Sequence, residues 1–289
     1  MMSGNEYGVG RLGSLADDSW VPPVIDTTRA HPARMYNAYL GGKDNFAADR
    51  EAAEQIIAKA PEVRDLARAN RAFLGHAVRM LAEQGIDQFL DIGTGIPTAD
   101  NTHEVAQRVN PAAKVVYVDN DPIVLAHARA LMAGHGMGAT TIIQADLRDP
   151  ASILADPALR GALDFGRPMG LILLAVLHFV SDEDGPAAIV KQLTDVLAPG
   201  SRMVLSHATT DVDPRGDAAV VEENQAEAVR VYGQKSVAAV TLRTGDRIRA
   251  LFDGLELLPP GIASVYDHLA DPDVRHHGVG IYGGIARKP

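Results

Sequence analysis

Three short apolar runs, each leading to an aspartate, constrain this chain more than any other feature. Phe89-Leu90-Asp91-Ile92 runs straight into the turn Gly93-Thr94-Gly95. Lys114-Val115-Val116-Tyr117-Val118 leads to Asp119, and Thr141-Ile142-Ile143-Gln144-Ala145 leads to Asp146. Helical signals separate them: Asn101 to Val109, then Pro122 to Met132, closed near Gly134, Gly136 and Gly138. Strands alternating with helices predict a largely parallel sheet covered on both faces. The ends of successive strands in such a sheet line one crevice, and ligands bind there.

The rest of the chain extends this pattern. Met169 to Val176 is a continuous apolar run, as expected of a central strand buried on both faces. Pro186 to Leu197 reads as a helix and Arg202 to Ser206 as the next strand. Near the C-terminus a charged helix, about Thr244 to Phe252, precedes two strand-like segments, Leu255 to Leu258 and Gly280 to Ala286. With no helix expected between them, these two should pair antiparallel. Upstream, residues 1–28 read as a flexible arm, broken by Pro22-Pro23. Residues 29–86 read as a helical cap: Pro32 to Leu40, a second helix capped by Asp44 or Asn45 and running to Ala60, and a third from Pro61 to Gly85. Residues 87–289 form the core.

The crevice needs a ligand that suits glycines and acids but no phosphate clamp. Gly93 and Gly95 let backbone approach a ligand, although a tight strand-to-helix turn alone would explain them. A dinucleotide fingerprint requires a third glycine, and here positions 97 and 98 are Pro and Thr. Asp91 suits a ligand ammonium and would repel a pyrophosphate. Asp119 can accept from both hydroxyls of a ribose, and Asp146 with the Leu147 amide can read an adenine edge. Each acid could instead be a helix cap or a surface carboxylate. The ligand satisfying all three is S-adenosyl-L-methionine.

The motifs also resemble a family. Tyr39-Leu40-Gly41-Gly42-Lys43-Asp44-Asn45-Phe46, Leu90 to Pro97, Tyr117 to Pro122, Ala145 to Pro150 and Ala175-Val176-Leu177-His178-Phe179 look like those of class I S-adenosylmethionine-dependent methyltransferases. More narrowly, they resemble a bacterial group once known only as a domain of unknown function. The likeness runs from about Arg29 to the C-terminus. It implies an α/β, Rossmann-like fold: a mostly parallel seven-stranded sheet, a C-terminal antiparallel hairpin and an N-terminal helical cap. It implies S-adenosyl-L-methionine as cofactor, with Thr94, Asn120 and Ala175 joining Asp91, Gly93, Gly95, Asp119, Asp146 and Leu147 around it. Pro97 departs from the broad pattern, where a third glycine is common. Tyr36, Lys43 and Asn45 are lid candidates, though Gly41 to Asn45 could be no more than a helix stop and cap.

Acceptor chemistry is less legible. His178, just past the central strand, is the candidate general base, and His207 is the second; either could be a structural hydrogen bonder. No Asp- or Asn-Pro-Pro-aromatic sequence follows the central strand, and the chain has no cysteine. Covalent cytosine methylation is therefore closed. Net charge is −10, from 27 basic and 37 acidic residues, which disfavours nucleic acid and leaves a small-molecule acceptor. No apolar run spans a bilayer and no signal peptide is evident, so no membrane association and a cytoplasmic location are expected. His276-His277 lacks a carboxylate partner nearby in sequence, so no metal centre is expected. Two rivals share the cofactor features: a non-catalytic S-adenosylmethionine or S-adenosylhomocysteine sensor, and a nicotinamide-dependent oxidoreductase, which Asp91 and Thr98 disfavour.

Overall fold

The computed structural model describes residues 25–127, 140–212, 217–269 and 280–289. The arm up to residue 24, the Gly134 to Gly138 turn and the His276-His277 pair lie outside them.

Three helices come first: α1 (Pro32–Tyr39), α2 (Ala47–Lys59) and α3 (Val63–Glu83). Strand β1 (Gln88–Ile92) is followed by α4 (Thr102–Val109), β2 (Lys114–Asp119), the start of a helix α5 (122–127) and β3 (Thr140–Gln144). Helices α6 (Pro150–Ala155) and α7 (Pro157–Ala162) lead to β4 (Gly170–Leu174), a 3-10 turn (Leu177–Phe179), α8 (Pro186–Asp195) and β5 (Arg202–Ala208). Then come α9 (Ala218–Lys235), α10 (Gly245–Arg249), β6 (Glu256–Leu257), β7 (Ala263–Ser264), α11 (Val265–Leu269) and β8 (Ile281–Arg287).

The strands of the described residues join one sheet in the order β3-β2-β1-β4-β5-β8-β6, parallel except where β8 runs antiparallel to β5, β6 and β7. The expected seven positions are filled by eight strands. β6 and β7 are two short pieces that meet opposite ends of β8, at Ala286–Arg287 and at Tyr282–Gly283. The hairpin connection also differs from expectation, because it contains α11. Antiparallel pairing survives because that helix is short and packs on α3 and on the two strands it joins, β7 and β8.

Strand alternation divides the core. Leu90, Val116, Val118, Leu171 and Leu173 pack beneath α6, α7 and α8 on one face. Phe89, Val115, Tyr117, Ile172 and Val204 face α3, α4 and α11 on the other. Within the cap expected over residues 29–86 the three helices divide by what they pack against. Helix α3 is a sheet-covering helix, because its stripe Phe73, Leu74, Ala77, Val78 and Leu81 is buried against the strands. Helices α1 and α2 pair instead with α9, through Met35, Ile56, Val231 and Tyr232. The start of α2 is corrected too. Asp49, not Asp44 or Asn45, ties down its first turn by accepting the Phe46 N–H at 2.7 Å.

Candidate cofactor and acceptor site

The strand ends open into a cavity of about 610 Å³, roofed by α1, α2 and α9. At one end β1 delivers Asp91 and the glycine turn. Gly93 (φ +75°) and Gly95 (φ +68°) both adopt the left-handed backbone that glycine tolerates. A Cβ on Gly93 would strike Val176 at 2.3 Å, so that turn is sterically closed to other residues. A Cβ on Gly95 would meet nothing within 4 Å, which leaves open space beside the backbone for a ligand.

Asp91 is buried, and its Oδ2 accepts the Thr102 hydroxyl at 2.6 Å. Burial pushes its carboxyl up to about 6, against the Thr102 hydrogen bond and the nearby Arg71 charge. Asp119 is buried one strand away. Its Oδ2 accepts the Gly95 N–H at 2.8 Å and its Oδ1 the Asp121 N–H at 2.9 Å, so it fixes the glycine turn. Burial raises it to about 6 as well, opposed by the Asp121 and Gly95 amides. Each carboxylate oxygen has lone pairs left for a ligand. Two buried acids with no direct cation partner and an open glycine cradle fit a positively charged ligand such as S-adenosylmethionine.

Thr94, Asn120, Asp146, Leu147, Ala175, His178 and Tyr36 also line the cavity. Asp146 is not free, because the Arg148 guanidinium grips both its oxygens and holds its carboxyl below the usual range. Ala175 sits at φ +51°, uncommon for a residue with a side chain. Its N–H is held by Ser206 Oγ at 3.0 Å. Lys43 and Asn45, the remaining lid candidates, do not line the cavity. Asn45 is consumed locally, donating to Asn37 Oδ1 at 2.7 Å and to the Gly42 carbonyl at 3.0 Å. That ladder ties the loop to α1.

His178 reaches the cavity from the 3-10 turn. Its Nδ1 accepts the Ala208 N–H at 3.3 Å, and burial holds its pKa well below the ordinary histidine value. The neutral ring therefore carries its proton on Nε2 and is placed to donate, not to accept. His207 is structural. Its Nε2 meets the Arg243 guanidinium at 2.7 Å, its Nδ1 lies 2.7 Å from the Ala208 carbonyl, and burial pulls it down to about 4.

Two further lining residues come from α3, where Arg71 beside Asn70 reads from the sequence either as part of a solvated arginine stripe with Arg64 and Arg68 or as facing the pocket; both line the cavity. Asn70 bridges α3 to β5, donating to Tyr36 Oη at 3.1 Å and accepting from Ser206 Oγ at 2.6 Å. Arg71 lines the same end and donates to the Ala99 and Asp100 carbonyls. Helix α9 contributes Asn224, Ala228 and Tyr232. Its signal was present: Asp217 caps it, and Val221, Asn224, Val231 and Tyr232 recur at helical spacing on its buried face.

Among the described residues no group of three or more His, Asp or Glu could hold a metal ion, and no helix is long and apolar enough to cross a membrane.

A profile of the family described as S-adenosyl methyltransferase matches residues 18–289. A DUF574 family protein from Streptomyces avermitilis is 42% identical over 92% of this chain and 100% of its own, with a TM-score of 0.84. A candidate methyltransferase from Thermobifida fusca is 40% identical over 93% of this chain and 99% of its own, with a TM-score of 0.81. TnmH shares the fold alone, at 18% identity over 80% of this chain and 57% of its own, with a TM-score of 0.50. No curated protein matches.

Proposed function

The chain belongs to the S-adenosyl methyltransferase family and so is an S-adenosyl-L-methionine-dependent methyltransferase; from that premise we propose that its acceptor is a small molecule held beneath the split cap. The observation that carries the reading is the cavity joining the Asp91–Gly95–Asp119 end to the underside of α2 and α9. A net charge of −10 supports a small acceptor over a nucleic acid.

When bound, S-adenosylmethionine supplies an electrophilic methyl group on a sulfonium. Asp91, with Gly93, Thr94 and Gly95, would hold its aminoacyl end through charge and close backbone approach. Asp119 and Asn120 would take the ribose. The Leu147 amide and the cavity wall beside Asp146 would meet the adenine, with Asp146 contributing only if Arg148 shares it. Ala175 would define the floor between the cofactor and acceptor. The chain's main contribution is then alignment of the two reactants and exclusion of water. His178 enters as a hydrogen-bond donor and not as a base.

Replacing Asp119 tests the assignment. Asp119→Ala should abolish S-adenosylmethionine binding by calorimetry while far-ultraviolet circular dichroism stays native. Wild-type affinity in that variant would overturn the placement of the ribose.

A further inference from the structure

The cavity has two chemically different lobes, and the second gives a reading of the acceptor that rests on the cofactor assignment above. The acids on the cavity wall, Asp91, Asp119, Asp146 and Asp184, stand at strand ends or in the loops that follow them. Its guanidinium groups belong to the same side: Arg148 grips Asp146, and Arg71 reaches the carbonyls of Ala99 and Asp100. The other lobe is enclosed by α2, the start of α3, α9 and residues 237–242. Its wall is made by Ile56, Val63, Leu66, Phe179, Tyr232 and Leu242.

The tyrosine hydroxyls and the Asn224 amide NH2 of this lobe are already engaged. The hydroxyls of Tyr39 and Tyr232 bond each other at 3.2 Å. Tyr36 donates to the Ala67 carbonyl at 2.9 Å, and Asn224 donates to Glu62 at 3.1 Å. A charged guest against this wall would give up part of its hydration, and none of the wall residues just named carries a charge to replace it, a cost that disfavours it. Aromatic faces are what the lobe offers instead. The Phe179 and Tyr232 ring centroids lie 5.4 Å apart, and His178 stands 4.4 Å from Phe179. The His178 Nδ1 is occupied by the Ala208 amide, and its Nε2–H meets no partner among the described residues.

We infer that the methyl acceptor is an uncharged, ring-bearing small molecule that lies against Phe179 and Tyr232 and offers a lone pair to the His178 Nε2–H. The shape and the neutrality of the lobe select the ring. The single donor selects its orientation.

Three probes sharing one ring system test this: 2-naphthol, 2-naphthoate and 2-naphthylmethylammonium, titrated into protein saturated with S-adenosylhomocysteine. The expected result is that naphthol binds at least ~10-fold more tightly than either ion, in line with the cost of an unpaired buried charge. Equal or tighter binding of either ion, or no binding by any probe, overturns the inference. Ala239→Arg, on an exposed stretch of the lobe wall, should turn the preference toward naphthoate in protein whose circular dichroism is native. An unchanged order there also overturns it. His178→Phe should weaken naphthol roughly fivefold, the worth of one hydrogen bond, and unchanged affinity removes the donor assignment. Should S-adenosylhomocysteine itself fail to bind, the cofactor site is what falls, and the probe order is then read on ligand-free protein.

Discussion

Asp91 and Asp119 are held by the fold in an environment that works against their charge. Both titrate near 6 when folded, against 3.8 in an exposed chain, because burial outweighs the hydrogen bonds they accept. The folded chain therefore holds protons more tightly than the unfolded one between pH 3.8 and about 6. Stability falls as pH rises through that window, and ionised Asp91 costs the ligand-free fold on the order of 3 kcal/mol at neutral pH. Asp91→Asn should therefore raise the melting temperature at pH 7.5 by at least ~3 °C, with the difference vanishing near pH 4. The same change should weaken S-adenosylhomocysteine by at least ~10-fold, since a ligand ammonium loses its counter-charge. An unchanged or lower melting temperature would show that the carboxylate is compensated. Wild-type affinity should likewise fall between pH 7.5 and pH 5 as Asp91 and Asp119, flanked by Arg71 and Tyr117, take up protons; a flat calorimetric profile would count against ionised Asp91 as the ligand's partner. The sequence made these two acids legible, because each sits beside or on the last residue of a strand. It could not show that the Ala208 amide fixes the His178 tautomer, since that contact joins β5 to the turn after β4. The Arg148 grip on Asp146 spans only two residues, but a ligand-facing, capping or paired aspartate looks the same in the sequence.

At the scale of elements, the segment after β4 is the one the acceptor would meet, and Arg243 ties it at several points. Arg243 is fully buried. Its Nη1 donates to the Leu177 carbonyl at 3.1 Å and its Nη2 to the Val180 carbonyl at 2.8 Å, while Nε and Nη2 reach Asp182 Oδ1. The partner Asp182 is half-exposed, so the carbonyl bonds and the His207 contact dominate over the ion pair. Arg243→Ala should cost about 3 kcal/mol or more in urea unfolding, and Arg243→Lys should recover little of it, because an ammonium cannot match the planar fork. Near-complete rescue by lysine would mean that charge alone matters. The parallel strands, the glycine turn and helix α4 follow from periodicity and punctuation, and the sequence showed each. Helix α9 carried the same kind of signal, yet its partners α1 and α2 lie far upstream. Pairing of that kind leaves no local trace, which is why residues 29–86 looked like one cap.

The whole molecule couples its roof to its ligand through one buried junction. Arg34 of α1 donates from Nε to Asp121 Oδ2 at 3.1 Å, and His31 Nδ1 lies 3.1 Å from the same oxygen. Asp121 in turn donates its N–H to Asp119. Closure of the site around a ligand should therefore reach α1 and, through their shared packing, α9. Saturating S-adenosylhomocysteine, at about 100 times its dissociation constant, should stabilise the fold by about 2.7 kcal/mol. It should also slow amide hydrogen exchange in α1 and α9 as well as at the ends of β1 and β2. Protection confined to the strand ends would uncouple roof from floor.

That roof also sets an order of events during synthesis. Chains emerge N-terminus first, and the segments carrying Met35 and Ile56 leave the ribosome long before Val231 and Tyr232. In the interval the upstream half of the shelter has an oily underside and nothing to rest against. The chamber can enclose no guest until residue 235 is free. A messenger cut short before then would withhold β8 as well, leaving β5 without its antiparallel neighbour and the chamber without its cover.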